Sequence, residues 1–197
     1  MSQAKTLTQD EYEKLFAFVE NRKYALRNKM ILLTGFKTGL RASELAAIRL
    51  GQLLNADKRV NAEFKLSGDQ TKGRHPRTIY LSDALREELQ TYIDLRGDYE
   101  PAHPVFVTAG GKPFTAAVMT QHLYWLFRKA GIDGASSHTL RRQFITKLAS
   151  KGIGIKILAT MAGHRSIQVT AKYIDTNPDM LRNAANLADQ RSLDWMG

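Results

Sequence analysis

Thr38-Gly39-Leu40-Arg41-Ala42-Ser43-Glu44-Leu45 lies where one helical pattern stops and another starts. Upstream, Met30-Ile31-Leu32-Leu33 belongs to an apolar helix, and Gly39 stands where that helix must reverse. Downstream, Ser43 is placed to cap a third helix running from Glu44 to about Leu50. Between the two, Arg41 follows a glycine at a helix start, so its guanidinium and the free amides there can face one anion. Further upstream, Thr8-Gln9-Asp10-Glu11 has the spacing of a capping box, in which Thr8 and Glu11 satisfy free amides reciprocally. Tyr12, Leu15, Phe16 and Val19 then recur at helical spacing.

Beyond residue 50 the period changes. Val60 to Leu66 alternates loosely, and Thr78-Ile79-Tyr80-Leu81 is rich in β-formers. The polar stretch Ser67 to Pro76, which contains glycines, connects them, so a small antiparallel sheet is expected here. Ser82 caps a helix to about Leu95, and Pro104-Val105-Phe106-Val107 with Gly110-Gly111 suggests a short strand and turn. Helical segments follow near 115–130, 138–152, 154–162 and 166–174, and Asn177-Pro178-Asp179 opens a last helix with proline in its first turn. The pattern is mainly α with a small antiparallel sheet inserted early, and no internal repeat or domain boundary stands out.

Composition narrows the function classes. Lys plus Arg number 29 against 19 Asp plus Glu, a net charge of +10, which favours polyanionic partners, nucleic acid first and anionic membrane second. The basic residues are spread along the chain rather than gathered in a tail, as for a folded basic face. Cysteine is absent, which excludes a disulfide framework, a thiol nucleophile and a cysteine zinc site. No apolar run is long enough to span a membrane and the N-terminus lacks a signal-peptide core, so a cytoplasmic protein is expected.

Two further stretches carry candidate chemistry: His138-Thr139-Leu140-Arg141, and Gly163-His164 followed by Tyr173. His138 and Arg141, three apart, share a helix face. Arginine donates bidentate hydrogen bonds that match phosphate, and histidine moves protons near neutral pH. A tyrosine can attack phosphorus when neighbouring groups help it lose its proton. Composition and spacing alone support a basic, phosphate-binding, α-rich domain, and each stretch taken singly also has a purely structural reading.

In order, these stretches resemble the tyrosine site-specific recombinase (phage integrase) family. Thr38 to Leu45 is similar to its first-arginine box, and Lys72, before Arg77-Thr78-Ile79-Tyr80-Leu81, falls where the family places its β-hairpin lysine. His138 to Arg141 resembles the His-x-x-Arg box, and Gly163-His164-Arg165-Ser166-Ile167 through Thr170 to Tyr173 the final box with its nucleophile. The resemblance covers roughly residues 8 to 190. It implies the tyrosine recombinase catalytic-domain fold. It also implies a reaction in which Tyr173 attacks a scissile DNA phosphodiester, leaving a 3′-phosphotyrosyl enzyme and a 5′-hydroxyl. Arg41 and Arg141 would neutralise the non-bridging oxygens, Lys72 protonate the leaving oxygen, His138 assist proton transfer and His164 donate to the phosphate. No cofactor or metal is implied. Double-stranded DNA is the implied partner, with a homo-tetramer assembled on it through the C-terminal helix, where Met180, Leu181, Ala184 and Leu187 suit docking on a neighbour or on the chain's own core equally.

About seven residues precede the first helix, whereas most members carry an N-terminal DNA-clamping domain there. The chain therefore reads as a single catalytic domain over 1–197 without a separate clamp, or as one from which the clamp was removed. Rival readings are a sequence-specific DNA-binding regulator on the same fold with a silent site, a type IB topoisomerase-like enzyme, and a basic structural protein that binds RNA.

Overall fold

Thr8 caps the first helix as its spacing predicts. Its Oγ1 accepts the Glu11 amide at 3.2 Å, and the Glu11 carboxylate accepts the Thr8 amide at 3.1 Å. The structure, a computed structural model, describes residues 4–71, 74–174 and 181–187. Helix α1 (Gln9–Glu20) buries Leu15 and Val19. Tyr12 and Phe16 lie tilted against each other and against Phe36 of α2 (Ala25–Thr38). Almost every side chain of α2 from Met30 to Phe36 is buried, so this helix is the centre of the core.

The third helix departs from expectation. It spans Ala42–Ala47 (α3), with Arg41 and not Ser43 at its N-cap. The Glu44 side chain reaches back to the Arg41 amide and supplies the cap from inside the helix. A fourth short helix, α4 (Leu50–Leu53), follows after an extended break at Ile48 and Arg49. The hairpin is as predicted: β1 (Glu63–Leu66) pairs antiparallel with β2 (Arg77–Tyr80), Glu63 opposite Tyr80 and Leu66 opposite Arg77. Phe64, Leu66 and Ile79 point into the core. The connection contains a 3₁₀ turn over Gly68–Gln70.

Ser82 caps α5 (Asp83–Arg96). In place of a strand at 104–107, only isolated bridges form, Arg49 with Pro104 and Val107 with Pro113. Proline carries no amide donor at either point, so no ladder extends. Helices α6 (Ala116–Lys129), α7 (Ser137–Ser150), α8 (Ile155–Ala162) and α9 (Ile167–Ala171) follow as expected. The residues placed at the start of the last helix, 177–179, lie outside the described residues, and 181–187 are helical and exposed.

The chain forms two compact units, Met1–Phe144 and Ile145–Gly197, the division falling inside α7. The first unit holds the large apolar core from Leu7 to Leu140. The second buries Ile145, Ala149, Leu158, Ala159 and Ala162. Among the described residues, no helix is long and apolar enough to cross a membrane.

Candidate active site

Arg41 stands directly after the reversal that ends α2, where Gly39 takes φ +65° and closes the helix in the left-handed conformation. Its side chain is partly exposed and its Nη1 donates to Glu44 Oε1 at 2.9 Å. Glu44 Oε2 takes the Arg41 amide at 2.7 Å and Arg77 Nη2 at 2.6 Å. Glu44 is wholly buried, so its charge is tolerable only because these donors surround it. Burial pushes the Arg77 guanidinium pKa down, Glu44 pushes it back up, and the neighbouring Arg41 cation lowers it again. Arg77 remains charged at any physiological pH.

Helix α7 approaches α2 through a glycine seam. A Cβ on Gly35 would lie 2.5 Å from Leu140 Cδ1, and one on Gly39 would lie 2.5 Å from the Phe144 ring. The two glycines, four apart, therefore admit the two apolar residues, also four apart, that flank Arg141. This contact sets Arg141 Nη1 3.0 Å from the Gly39 carbonyl, two residues before Arg41. Arg141 is 3% exposed. The two predicted arginines thus converge on one loop, although 100 positions separate them in the chain. His138 lies one turn earlier on α7 and is exposed, its amide held by Ser136 Oγ at 3.3 Å. Lys72 lies outside the described residues. The stems on either side of it are held by side chains. Gln70 Nε2 donates to the Ala47 carbonyl at the end of α3, and Thr71 Oγ1 donates to the His75 carbonyl.

The second unit arranges the other predicted residues. Gly163 ends α8 with φ +66°, and His164 follows. Its Nδ1 is 2.8 Å from the hydroxyl of Thr170, which is wholly buried. When that hydroxyl donates to Nδ1, the ring proton sits on Nε2, where it can serve an anionic ligand. The imidazole stacks on Tyr173 with centroids 5.7 Å apart and planes 13° off parallel. Tyr173 is half-buried just past α9, and its carbonyl accepts from Thr146 Oγ1 at 3.0 Å.

Arg41 and Arg141 therefore meet in the first unit, and His164 and Tyr173 in the second. Glu44, Arg77, Gly35 and Thr170 are the contributors that the sequence reading left without a role. Glu44 carried a signal, an acid three residues after the N-cap. Arg77 carried none, because its partner is 33 residues away.

Comparison with known proteins places the fold in a family. The phage integrase family model matches residues 5–180. A tyrosine recombinase XerA from Pyrococcus furiosus is 30% identical over 188 residues, covering 94% of this chain and 62% of the relative. A tyrosine recombinase XerC from Pelobacter propionicus is 26% identical over 177 residues, covering 88% of this chain and 55% of the relative. The chain thus spans about six-tenths of the length of these relatives. Among solved structures, a XerA recombinase superposes with a TM-score of 0.73 at 22% identity, covering 95% of this chain and 66% of the other. The Tn1549 transposon integrase in complex with a circular intermediate DNA does so at 0.75 and 22%, covering 94% and 66%. With the match running from before the first helix to beyond Tyr173, the chain belongs to the phage integrase family.

Proposed function

We propose that this chain cuts and rejoins DNA strands at specific sites, with Tyr173 as the nucleophile and a 3′-phosphotyrosyl intermediate. The observation that carries the reading is the convergence of Arg41 and Arg141 on the Gly39 loop, a preformed pair of cations of which Arg141 is buried and Arg41 partly exposed. A phosphodiester under attack gathers charge on its non-bridging oxygens, and donors fixed before the reaction stabilise that charge without reorganising. The names of the relatives, tyrosine recombinases, and a structural neighbour in complex with DNA support the same chemistry.

In this scheme the Tyr173 oxygen attacks phosphorus and the 5′-oxygen leaves, taking a proton from Lys72. His138 assists removal of the tyrosine proton, and His164 donates from Nε2 to the phosphate while Thr170 orients its ring. The 5′-hydroxyl of a partner strand then attacks phosphorus, re-forms a phosphodiester and releases Tyr173. The bond energy is conserved in the phosphotyrosine, so no ATP is needed. Double-stranded DNA is the substrate, and a homo-tetramer joined through the C-terminal helix is the assembly. The exposed side chains over 181–187 fit that docking.

Covalent trapping tests the reading. Nicked duplexes carrying candidate sites, mixed with the protein without metal or ATP, should yield a denaturant-resistant protein–DNA adduct. Tyr173→Phe should give none while binding the same duplex as tightly. Tight binding by the unaltered chain with no adduct would favour a DNA-binding regulator instead.

A further inference from the structure

Glu44 poses a problem of charge. A wholly buried carboxylate holds the backbone amide and guanidinium of Arg41, the residue offered to the scissile phosphate. Alone, that pair is neutral, and Arg41 would meet the phosphate with its charge already cancelled. The structure contains the remedy. Arg77, the first residue of β2, brings its Nη2 to 2.6 Å from Glu44 Oε2, with its own side chain 10% exposed. Two cations share this one anion, so the charges of these three groups sum to +1, and the Arg41 guanidinium, partly exposed, carries it toward a ligand. The geometry matters as well. Arg77 and the Arg41 amide both sit on Oε2, which fixes the rotation of the carboxylate and turns Oε1 toward the Arg41 guanidinium. Arg77 itself sits opposite Leu66, in the strand pair next to the connecting loop.

We propose that Arg77 is a positioning residue for strand cleavage: through Glu44 it orients Arg41 and leaves the positive charge of Arg41 available to the scissile phosphate. The proposal rests on the reading of Arg41 given above. It separates Arg77 from Lys72, the proposed proton donor to the leaving group, because Arg77 acts on charge at the non-bridging oxygens.

Charge on the substrate supplies the test. Adduct formation is timed on two nicked duplexes, one with an ordinary scissile phosphodiester and one with a methylphosphonate there, in which a methyl group replaces one non-bridging oxygen and the charge is lost. Arg77→Met should slow the ordinary substrate by about 10- to 100-fold, less than the loss of a donor that touches the phosphate. On the neutral substrate it should fall within about threefold of the unaltered chain, because little charge remains to be neutralised. A purely structural defect would slow both substrates alike, and that result, or an unaltered rate on both, overturns the proposal. Arg41→Ala is run beside it. If Arg41→Ala gains nothing from the neutral phosphate, the charge role of Arg41 fails and the proposal falls with it. If Arg41→Ala gains and Arg77→Met does not, the proposal alone falls. Glu44→Gln combined with Arg77→Met removes both buried charges together, which guards against a single variant that fails to fold. This pair should cut the phosphodiester within about tenfold of the unaltered chain, one 1.4 kcal/mol step of barrier. A pair slowed by more than about tenfold, as Arg77→Met alone is, would overturn the charge argument.

Discussion

Glu44 and Arg141, both buried, anchor the arginine half of the proposed chemistry, in the first unit, through hydrogen bonds that include, among the described residues, three on the Glu44 carboxylate and one on the Gly39 carbonyl. Tyr173 sits half-buried in the other half, its backbone carbonyl tied by the Thr146 hydroxyl and its ring stacked on His164. The contrast follows from what each half does in the proposed reaction. Groups that stabilise charge work best when they are fixed before the charge arises. A nucleophile that becomes covalently attached and is later released must shift with the phosphorus atom. A deep core serves the first task, and a shallow seat after a five-residue helix serves the second. Substitutions in the arginine half should therefore lower stability and cleavage together, and those in the tyrosine half should lower cleavage almost alone.

The largest expected effect is Glu44→Ala. It leaves two neighbouring guanidiniums, one of them the nearly buried Arg77, without their shared anion, and should cost about 3–5 kcal/mol of unfolding free energy, read from denaturant melts. A loss below about 1 kcal/mol would mean that the arginine half is not held by this carboxylate.

Acid should weaken the same unit by a separate route. Burial, with a smaller contribution from the Arg27 cation, lowers the His122 pKa from 6.5 to about 4, and its Nε2 pairs with Asn28 Oδ1 at 3.0 Å. The unfolded chain takes up the proton first, so the stability contributed here is complete above pH 6.5 and is lost as pH falls toward 4. The full loss is about 3 kcal/mol, at about 1.4 kcal/mol per pH unit. Melting temperatures measured from pH 7 to 4.5 should drop less steeply in His122→Gln than in the unaltered chain. Equal slopes would show that His122 titrates normally.

How much of this was legible depended on distance along the chain. The Thr8–Glu11 box, the Gly39 reversal and the alternation that became β1 and β2 are settled by neighbours a few residues apart, and the sequence states them directly. The cap of α3 was misread because Ser43 is a good N-cap residue in isolation. The pairing of Glu44 with Arg41 and with Arg77, 33 residues away, moved the helix start two residues upstream of Glu44. The strand expected at 104–107 failed because a proline stands at each bridge, Pro104 in the segment itself and Pro113 opposite Val107. The role of Gly35 was invisible, since nothing nearby indicates that Leu140 will press on it. The candidate site residues were proposed from local boxes, and Lys72 from its place before the second hairpin strand. The supporting residues Arg77 and Thr170 needed the fold, because their function is to touch something else.

Thr170→Val gives the smallest stability effect and the sharpest test of the contrast. Valine replaces the hydroxyl by a methyl of similar size, so the bond to His164 Nδ1 is the interaction lost. The expected cost is about 1 kcal/mol of stability, as for one neutral hydrogen bond. Cleavage should nevertheless slow by about tenfold, because the His164 ring is no longer held with its proton on Nε2. Single-turnover adduct formation measured beside a denaturant melt separates the two quantities. A rate that falls while the melt barely moves places Thr170 in the chemistry through His164. A melt that falls by several kcal/mol with the rate would show that the tyrosine half is anchored as firmly as the arginine half, and the division of labour argued from burial would not stand.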